Sequence, residues 1–290
     1  MIDFILGVIE QGLIYAPMVL GVYITYQILD FPDLSVDGTF PLGAAVAAVL
    51  ITGGANPLLA CAAAIVCGAA AGVVTGLLHV RLKITNLLSG ILVMTALYSV
   101  NLRIMGKANV PLLTVGTMFS GFLPKVVVAL LVVVIIKVIL DLYMKTYAGL
   151  SLRAVGANPQ LVSSLGQNTG RVKITGLAIA NGLTALSGAL MCQYQRFADV
   201  SMGSGTVVIG LASVIVGATV FGKVRFIQGS TAAILGSILY KASIAVALRA
   251  GLPATDMKLI SAVFFVIIII IRNPAWKQRL QKLFGGREAA

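Results

Sequence analysis

The chain has 290 residues, of which 59% are hydrophobic and only 10% are charged. Soluble domains have about 45–50% apolar and about 25% charged residues, so this composition argues against a water-soluble globular protein. The formal net charge of +12 is therefore interpreted as a membrane-topology signal rather than as a nucleic-acid-binding surface. Because one span takes about 20 residues, the length allows roughly eight or nine spans and leaves no room for a separate ATPase domain.

Apolar runs predict an all-α polytopic membrane protein with about 8–9 transmembrane or re-entrant helices, because helices satisfy their own backbone groups in lipid. In chain order, the runs cover residues 10–29, 38–53, 57–80, 86–102, 124–143, 173–194, 206–222, 228–248 and 257–272. We expect residues 1–272 to form one transmembrane domain and residues 273–290 to form a basic cytoplasmic tail.

The distribution of basic residues predicts the orientation in a bacterial-type plasma membrane. If residues 144–172 are cytoplasmic, most of the 21 lysines and arginines fall on the inner side, with the N-terminus outside and the C-terminus inside. The outer side receives Arg103, Lys107, Lys125, Arg196, Lys241, Arg249 and Lys258. Lys137 lies within a span, one helical turn from Asp141, where the two side chains are expected to snorkel or to bridge locally.

Three acidic residues, Asp30, Asp33 and Asp37, lie between the first two apolar runs. Two interpretations stay open for this stretch: a cytoplasmic loop, or a broken helix inside the bundle whose ends face a cavity. In the second case, Ser35 or Asp37 would cap the following helix or line that cavity.

The predicted helix from residue 86 has two polar faces. One face carries Asn86, Ser89, Gly90, Val93, Leu97 and Asn101. Thr95 and Ser99 define another face, and Met94 with Tyr98 would give an apolar or aromatic ligand a polarisable wall. The polar groups either form hydrogen bonds with neighbouring helices or line a path through the membrane. The translocation-path candidates are Asp33, Ser35, Asp37, Asn86, Ser89, Met94, Thr95, Tyr98 and Asn181.

Residues 145–173 form a long polar connection that contains a short predicted helix. Asn158–Pro159 predicts the start of this helix and Gly166 its end. Leu161, Val162 and Leu165 fall on one side of it, so it either docks into a groove of a partner or serves as a structured connector.

Catalytic and metal-binding signals are weak. The run Gly217–Val224 matches the phosphate-binding loop except at its last position, where Val224 replaces the Ser or Thr that ligates Mg²⁺. We interpret this run as a helix terminus. The single histidine, His79, has no second ligand nearby in sequence, and the three cysteines lie in apolar stretches. We therefore expect a protein that is not an enzyme and that binds no metal, cofactor or nucleic acid.

Four motifs resemble the permease subunits of ABC importers of the branched-chain amino acid and ribose permease superfamily. They are Asp33–Gly38, Asn86–Gly106, Leu152–Pro159 followed by Gly170, and Gly251–Leu259. The resemblance covers roughly residues 10–272. Asp37 stands where the family turn has glycine, and the second motif points to the tryptophan/tyrosine-type or uncharacterised amino-acid permeases.

The resemblance implies a homodimer that works with a cytosolic ATPase dimer, which binds ATP and Mg²⁺, and with an extracytoplasmic substrate-binding lipoprotein. Segment 145–173 would then hold the coupling helix, with Arg153 pairing with an acid on the ATPase and Gly156 supplying a tight turn. The coupling candidates are Arg153, Ala154, Gly156, Asn158, Pro159, Leu161 and Gly166.

The outer segments 103–123, 195–206 and 249–256 are candidates for docking the receptor, with Arg103, Lys107, Arg196 and Arg249. The resemblance implies import of an aromatic or other hydrophobic amino acid. Nucleosides, sugars and branched-chain amino acids are alternative substrates. A more distant alternative is an ATP-independent secondary transporter.

Overall fold

The computed structural model describes residues 2–222, 224, 227–251, 253 and 256–272. The basic tail predicted over residues 273–290 lies outside these residues. The α-helices are α1 (Ile2–Val22), α2 (Val36–Thr52), α3 (Pro57–Val80), α4 (Asn86–Met105), α5 (Lys125–Lys145), α6 (Tyr147–Ala157), α7 (Pro159–Ser164), α8 (Thr169–Gln195), α9 (Thr206–Phe221), α10 (Gly229–Arg249) and α11 (Met257–Arg272).

The helical membrane architecture is confirmed. Each predicted apolar run overlaps one of the long helices, and seven helical segments of the described chain are long and apolar enough to cross a membrane. The outer faces of α3 and α5 expose large apolar side chains such as Leu59 (66% exposed) and Ile139 (61% exposed). Such faces are unfavourable in water and favourable against lipid.

Several short elements connect or extend the long helices. Tyr23–Ile28 continues α1 as a π-helical turn. Strands β1 (Asn109–Pro111) and β2 (Phe197–Asp199) pair antiparallel, with Val110 opposite Ala198. The sequence did not predict this sheet because three-residue strands are too short to show an alternating pattern.

Helix α8 lies at the centre of the bundle and packs against α1, α2 and α3. Small residues allow the backbones to approach closely. A Cβ atom on Gly43 of α2 would lie 1.8 Å from the carbonyl oxygen of Ala185 in α8, and one on Gly72 of α3 would lie 2.3 Å from that of Leu177. The position of α8 between α2 and α3 therefore depends on glycine at these contacts.

The predicted location of Lys241 is wrong. This lysine was predicted to lie on the outer side of the membrane, but it lies within α10 and is only 8% exposed. Its ammonium group lies over the ring of Tyr15 in α1, 3.8 Å from the ring centre. An aromatic face attracts a cation, which compensates part of its burial.

Candidate functional site

A buried polar network joins the start of α2 to the middle of α8. Asp33 Oδ2 accepts a hydrogen bond from Asn181 Nδ2 at 2.8 Å, and Asp33 Oδ1 accepts one from the backbone N–H of Ser35 at 2.8 Å. Asn181 Oδ1 accepts from the hydroxyls of Ser35 (3.1 Å) and Thr39 (2.8 Å). All four side chains are at most 5% exposed, so the network lies inside the bundle.

This burial decides between the two interpretations of the acidic stretch. A cytoplasmic loop would leave Asp33 in water, whereas this carboxylate is buried against α8. Asp30 remains exposed and adopts a positive φ of 51°. The helix formed by α1 and the π-helical turn therefore breaks before Asp33, and the chain re-enters helix at Val36 within the protein interior.

The predicted capping of α2 by Ser35 or Asp37 is wrong. Ser35 is the N-cap residue of α2, but its hydroxyl donates to Asn181 and makes no capping hydrogen bond. Asp37 caps α9 instead, where Oδ1 accepts from Val207 N at 2.7 Å and Oδ2 from Gly205 N at 3.0 Å. The free N–H groups and positive end of the α9 dipole explain this choice.

A cavity of 330 Å³ lies between α2, α4 and the segment that precedes α9. Its lining residues are Asp37, Gly38, Pro41, Met94, Thr95, Tyr98, Asn101, Val200, Ser201 and Ser204. Four translocation-path candidates, Asp37, Met94, Thr95 and Tyr98, thus meet at one place. The mostly apolar wall with a few polar groups, and the volume, are typical of small-molecule sites.

The remaining path candidates lie elsewhere. Asn181, Ser35 and Asp33 belong to the buried network. Ser89 is buried and donates to the carbonyl oxygen of Asn86, which is half-buried at the start of α4. Neither of these two residues lines the cavity.

The two-faced character predicted for α4 is confirmed. Its buried side chains are Ser89, Gly90, Val93, Leu97, Asn101 and Met105. Thr95, Tyr98 and Ser99 are exposed on another side. The helical period was sufficient to separate these faces, because the apolar and small residues recur every three or four positions.

Four polar residues of the buried network and the cavity wall were not among the path candidates: Thr39, Asn101, Ser201 and Ser204. Asn101 is fully buried, its Nδ2 donates to the carbonyl oxygen of Gly38 at 3.1 Å, and its Oδ1 has no hydrogen-bond partner among the described residues. Its position on the buried face of α4 was a usable signal. Ser201 lies in a 3₁₀-helical turn (Val200–Gly203) and Ser204 follows it, and the sequence of this short segment has no periodicity that would have revealed them.

The predicted short helix of the coupling segment is confirmed as α7. Asn158 Oδ1 accepts from Leu161 N at 3.0 Å, Pro159 is the first helical residue, and Gly166 follows the helix with φ of 78°. Its apolar residues do not share one environment, since Val162 is buried while Leu161 and Leu165 are 57% and 73% exposed. Helix α6, which precedes α7, was not predicted.

The tight turn predicted at Gly156 is wrong, because Gly156 lies inside α6. A Cβ atom at this position would lie 1.7 Å from the carbonyl oxygen of Ile28, at the end of the π-helical turn. The glycine is thus required for contact between α6 and the break before α2. Arg153 and Ala154 are exposed on the same helix.

Two of the three segments that were predicted to lie outside are joined by the short sheet. Leu112 N donates to the carbonyl oxygen of Arg196 at 2.8 Å, next to the β1–β2 pairing. Arg103 and Lys107 are exposed near β1, and Arg196 is half-buried. Arg249 lies beside α1, with its guanidinium 5.1 Å from the centre of the Phe4 ring.

Charged and sulfur-containing side chains outside these sites have local roles. Lys137 and Asp141 form an ion pair at 2.5 Å, as predicted for this pair, and Asp141 also accepts from the hydroxyl of Ser230. The Nδ1 atom of His79 lies 2.9 Å from the carbonyl oxygen of Ile84. The cysteines are free thiols.

The sequence is similar to a known protein family and to two individual proteins. A family model described as the permease component of the branched-chain amino acid transport system matches residues 4–272. A tyrosine transport system permease protein of Clostridioides difficile (strain R20291) is 51% identical over 269 residues, which are 93% of this chain and 91% of the relative. An uncharacterised protein of Rickettsia prowazekii (strain Madrid E) is 34% identical over 275 residues, 91% of this chain and 96% of that protein. No solved structure matches at a significant level.

Proposed function

This chain belongs to the family of branched-chain amino acid transport permeases, and we propose that it imports an aromatic amino acid with energy from a separate ATPase. It is an ABC transporter permease of the amino-acid subgroup. Tyrosine is our first substrate candidate, because the Clostridioides difficile relative is named as a tyrosine transport permease. The cavity supports a ligand of this kind, since Met94, Pro41 and Tyr98 offer apolar and aromatic contacts.

The observation that carries the proposal is the contact between Gly156 and Ile28. It joins α6, in the segment that would face the ATPase, to the end of the π-helical turn. Leu152 of α6 and Leu29 after the turn also meet at Gly176 of α8, where an added Cβ would lie 2.7 Å and 2.6 Å from their Cδ1 atoms. A displacement of α6 would therefore act directly on the break before α2.

The proposed ATPase-docking surface consists of Arg153, Leu161 and Leu165. Exposed leucines at the end of the bundle favour burial in a groove of a partner protein. Arg153 is exposed and can pair with an acidic side chain there. We place this surface in the cytoplasm, with the N-terminus outside, in a bacterial-type inner membrane.

A homodimer would account for the exposed polar side of α4. Thr95, Tyr98 and Ser99 are exposed within a helix that is long enough to cross the membrane. Polar side chains are unfavourable against lipid and usually face a protein or a water-filled cavity. We propose that this side of α4 faces the translocation path between two copies of the chain.

The receptor-docking surface would be the β1–β2 sheet with Arg103, Lys107 and Arg196. A substrate-binding lipoprotein that docks there would contact β2, which is followed directly by the segment that contributes Ser201 and Ser204 to the cavity wall. Arg249 extends this proposed surface towards α1.

Co-purification and reconstitution test the proposal. We expect the tagged chain to recover an ATPase subunit in a stoichiometric complex, and proteoliposomes with this complex and the lipoprotein to take up labelled L-tyrosine only with ATP. Uptake by the purified chain without ATPase would instead identify a secondary transporter. ATP-driven uptake of a nucleoside, a sugar or a branched-chain amino acid in place of tyrosine would replace the substrate but keep the mechanism.

A further inference from the structure

We propose that the cavity between α2 and α4 binds the ammonium group of the transported amino acid, using Asp37 and Asn101. This inference rests on the proposed function, because it identifies how the path would hold its substrate. The two residues would bind the ligand without reacting with it, because their oxygen atoms accept hydrogen bonds from the ammonium group.

The carboxylate of Asp37 is the first observation. It is half-buried and lines the cavity, and its hydrogen bonds come from two N–H groups and the hydroxyl of Thr206 at the start of α9. None of the cavity-lining residues is Lys, Arg or His. Among the described residues, the ion pair with atoms within 4 Å joins Lys137 to Asp141 and does not involve Asp37. Asp37 therefore has no ion-pair partner among the described residues; the N–H groups at the start of α9 compensate part of its charge, and a cationic ligand would compensate more.

Asn101 supplies an independent second observation. Its side chain is completely buried at the cavity wall, and its Oδ1 atom accepts no hydrogen bond within the described chain. A buried acceptor without a donor is destabilising, and such atoms in folded proteins commonly have a functional explanation. Because Oδ1 is shielded from solvent in this structure, the proposed site requires a small displacement of the wall before the ammonium group can contact this atom.

The remaining wall determines where the rest of the amino acid lies. Pro41, Met94 and Val200 form an apolar surface for a hydrophobic or aromatic side chain. Tyr98 is 57% exposed at the same cavity and can donate a hydrogen bond to the carboxylate of the ligand. The proposed site thus offers acceptors to the ammonium group, an apolar surface to the side chain and a hydroxyl donor to the carboxylate.

A cysteine reporter tests this assignment without requiring transport. The full-length Thr95→Cys protein is placed in nanodiscs, and the alkylation rate at this position is followed by peptide mass spectrometry. L-Tyrosine and tyramine, which have the ammonium group, should slow alkylation. The analogue 3-(4-hydroxyphenyl)propanoate, which lacks it, should not.

Variants of Asn101 test whether an acceptor oxygen at this position is required. In the reporter background, Asn101→Leu should weaken protection by tyramine about tenfold or more, as expected for loss of a hydrogen bond to a charged group. Asn101→Asp retains acceptor oxygens and should keep the preference for tyramine. Asp30→Asn is the matched control, because it removes an exposed carboxylate of the same stretch outside the cavity, and it should retain protection.

The outcomes separate the two proposals. Equal protection by tyramine and 3-(4-hydroxyphenyl)propanoate, or none by either, would overturn the ammonium site while leaving ATP-driven uptake as a separate result. Protection by tyramine in a protein that shows no ATP-driven uptake would retain the site and overturn the proposed function. Loss of tyramine protection in both Asn101→Leu and Asn101→Asp would assign Asn101 a structural role and also overturn the site.

Discussion

The ammonium group of Lys241 lies 3.8 Å from the centre of the Tyr15 ring, which joins α10 to α1 through a buried cation–π contact. Both residues are less than 9% exposed. Among the described residues, no acidic side chain forms an ion pair with this lysine. The aromatic face therefore compensates part of the desolvation of the charge.

This contact predicts coupling between the two positions. Tyr15→Leu should lower the free energy of unfolding more in the native protein than in a Lys241→Met background, with a coupling energy of about 2 kcal/mol. Denaturant unfolding in micelles measures this difference. Tyr15→Phe retains the ring and serves as the control. Equal losses in the two backgrounds would show that the ring stabilises α1 only by packing, for example against Phe40.

Gly156→Ala should uncouple ATP hydrolysis from uptake. The new Cβ would lie 1.7 Å from the carbonyl oxygen of Ile28, and forced repacking costs about 1–3 kcal/mol. Such a displacement is expected to reduce the substrate transported per ATP about tenfold while the protein still inserts in the membrane. Ala157→Leu adds a larger side chain at an exposed position of the same helix and is the control. Normal coupling in Gly156→Ala would contradict the proposed role of this contact.

Asn181→Ala should destabilise the buried network by about 2–4 kcal/mol, since Asp33 Oδ2 would lose its donor. Asp33→Asn in the same chain should recover part of this loss, because it removes the uncompensated charge. Thr184→Ala is the control: Thr184 is equally buried in α8, but its hydroxyl donates to the backbone of its own helix. Thermal unfolding of the purified variants measures the effect, and a smaller loss in Asn181→Ala than in Thr184→Ala would argue against it.

Asp199, which directly precedes the cavity-lining residue Val200, predicts a pH effect on the β1–β2 sheet. Hydrogen bonds from Ser201, and from Asn109 of β1, hold the pKa of Asp199 below its usual value. A lowered pKa in the folded state means that this carboxylate stabilises the fold above its unfolded pKa of about 3.9. The contribution is lost as the pH falls through the lower folded pKa. Amide hydrogen exchange in β1 and β2 should rise there in the native protein, and Asp199→Asn should remove this dependence.

Local signals were sufficient for much of the fold. The Asn158–Pro159 start and the Gly166 end of α7 depend on chemistry within a few residues. The buried face of α4 follows from its own helical period. These features could be predicted because the residues that determine them are neighbours in sequence.

The site could not be predicted in the same way, because its partners are far apart in the chain. Asp33 and Asn181 are separated by 148 positions, and Asp37 and Gly205 by 168. Sequence alone gave Asp37 a local capping role, since the nearest free N–H groups belong to α2. Helix packing instead presents the start of α9 to this carboxylate. Gly156 was misassigned for the same reason, because Ile28 is distant in sequence.

The π-helical turn over Tyr23–Ile28 has a further consequence. Leu29 N donates to the carbonyl oxygen of Ile24, five positions back, where an α-helix would use the residue four positions back. The π-helical turn thus contains one residue more than the same turn of an α-helix would, immediately before the break. Rewinding it as α-helix would advance Leu29 and the chain that follows by about 1.5 Å, the rise of a single residue. Rewinding the turn would therefore move the chain between the α6 contact and Asp33 by the rise of one helical residue.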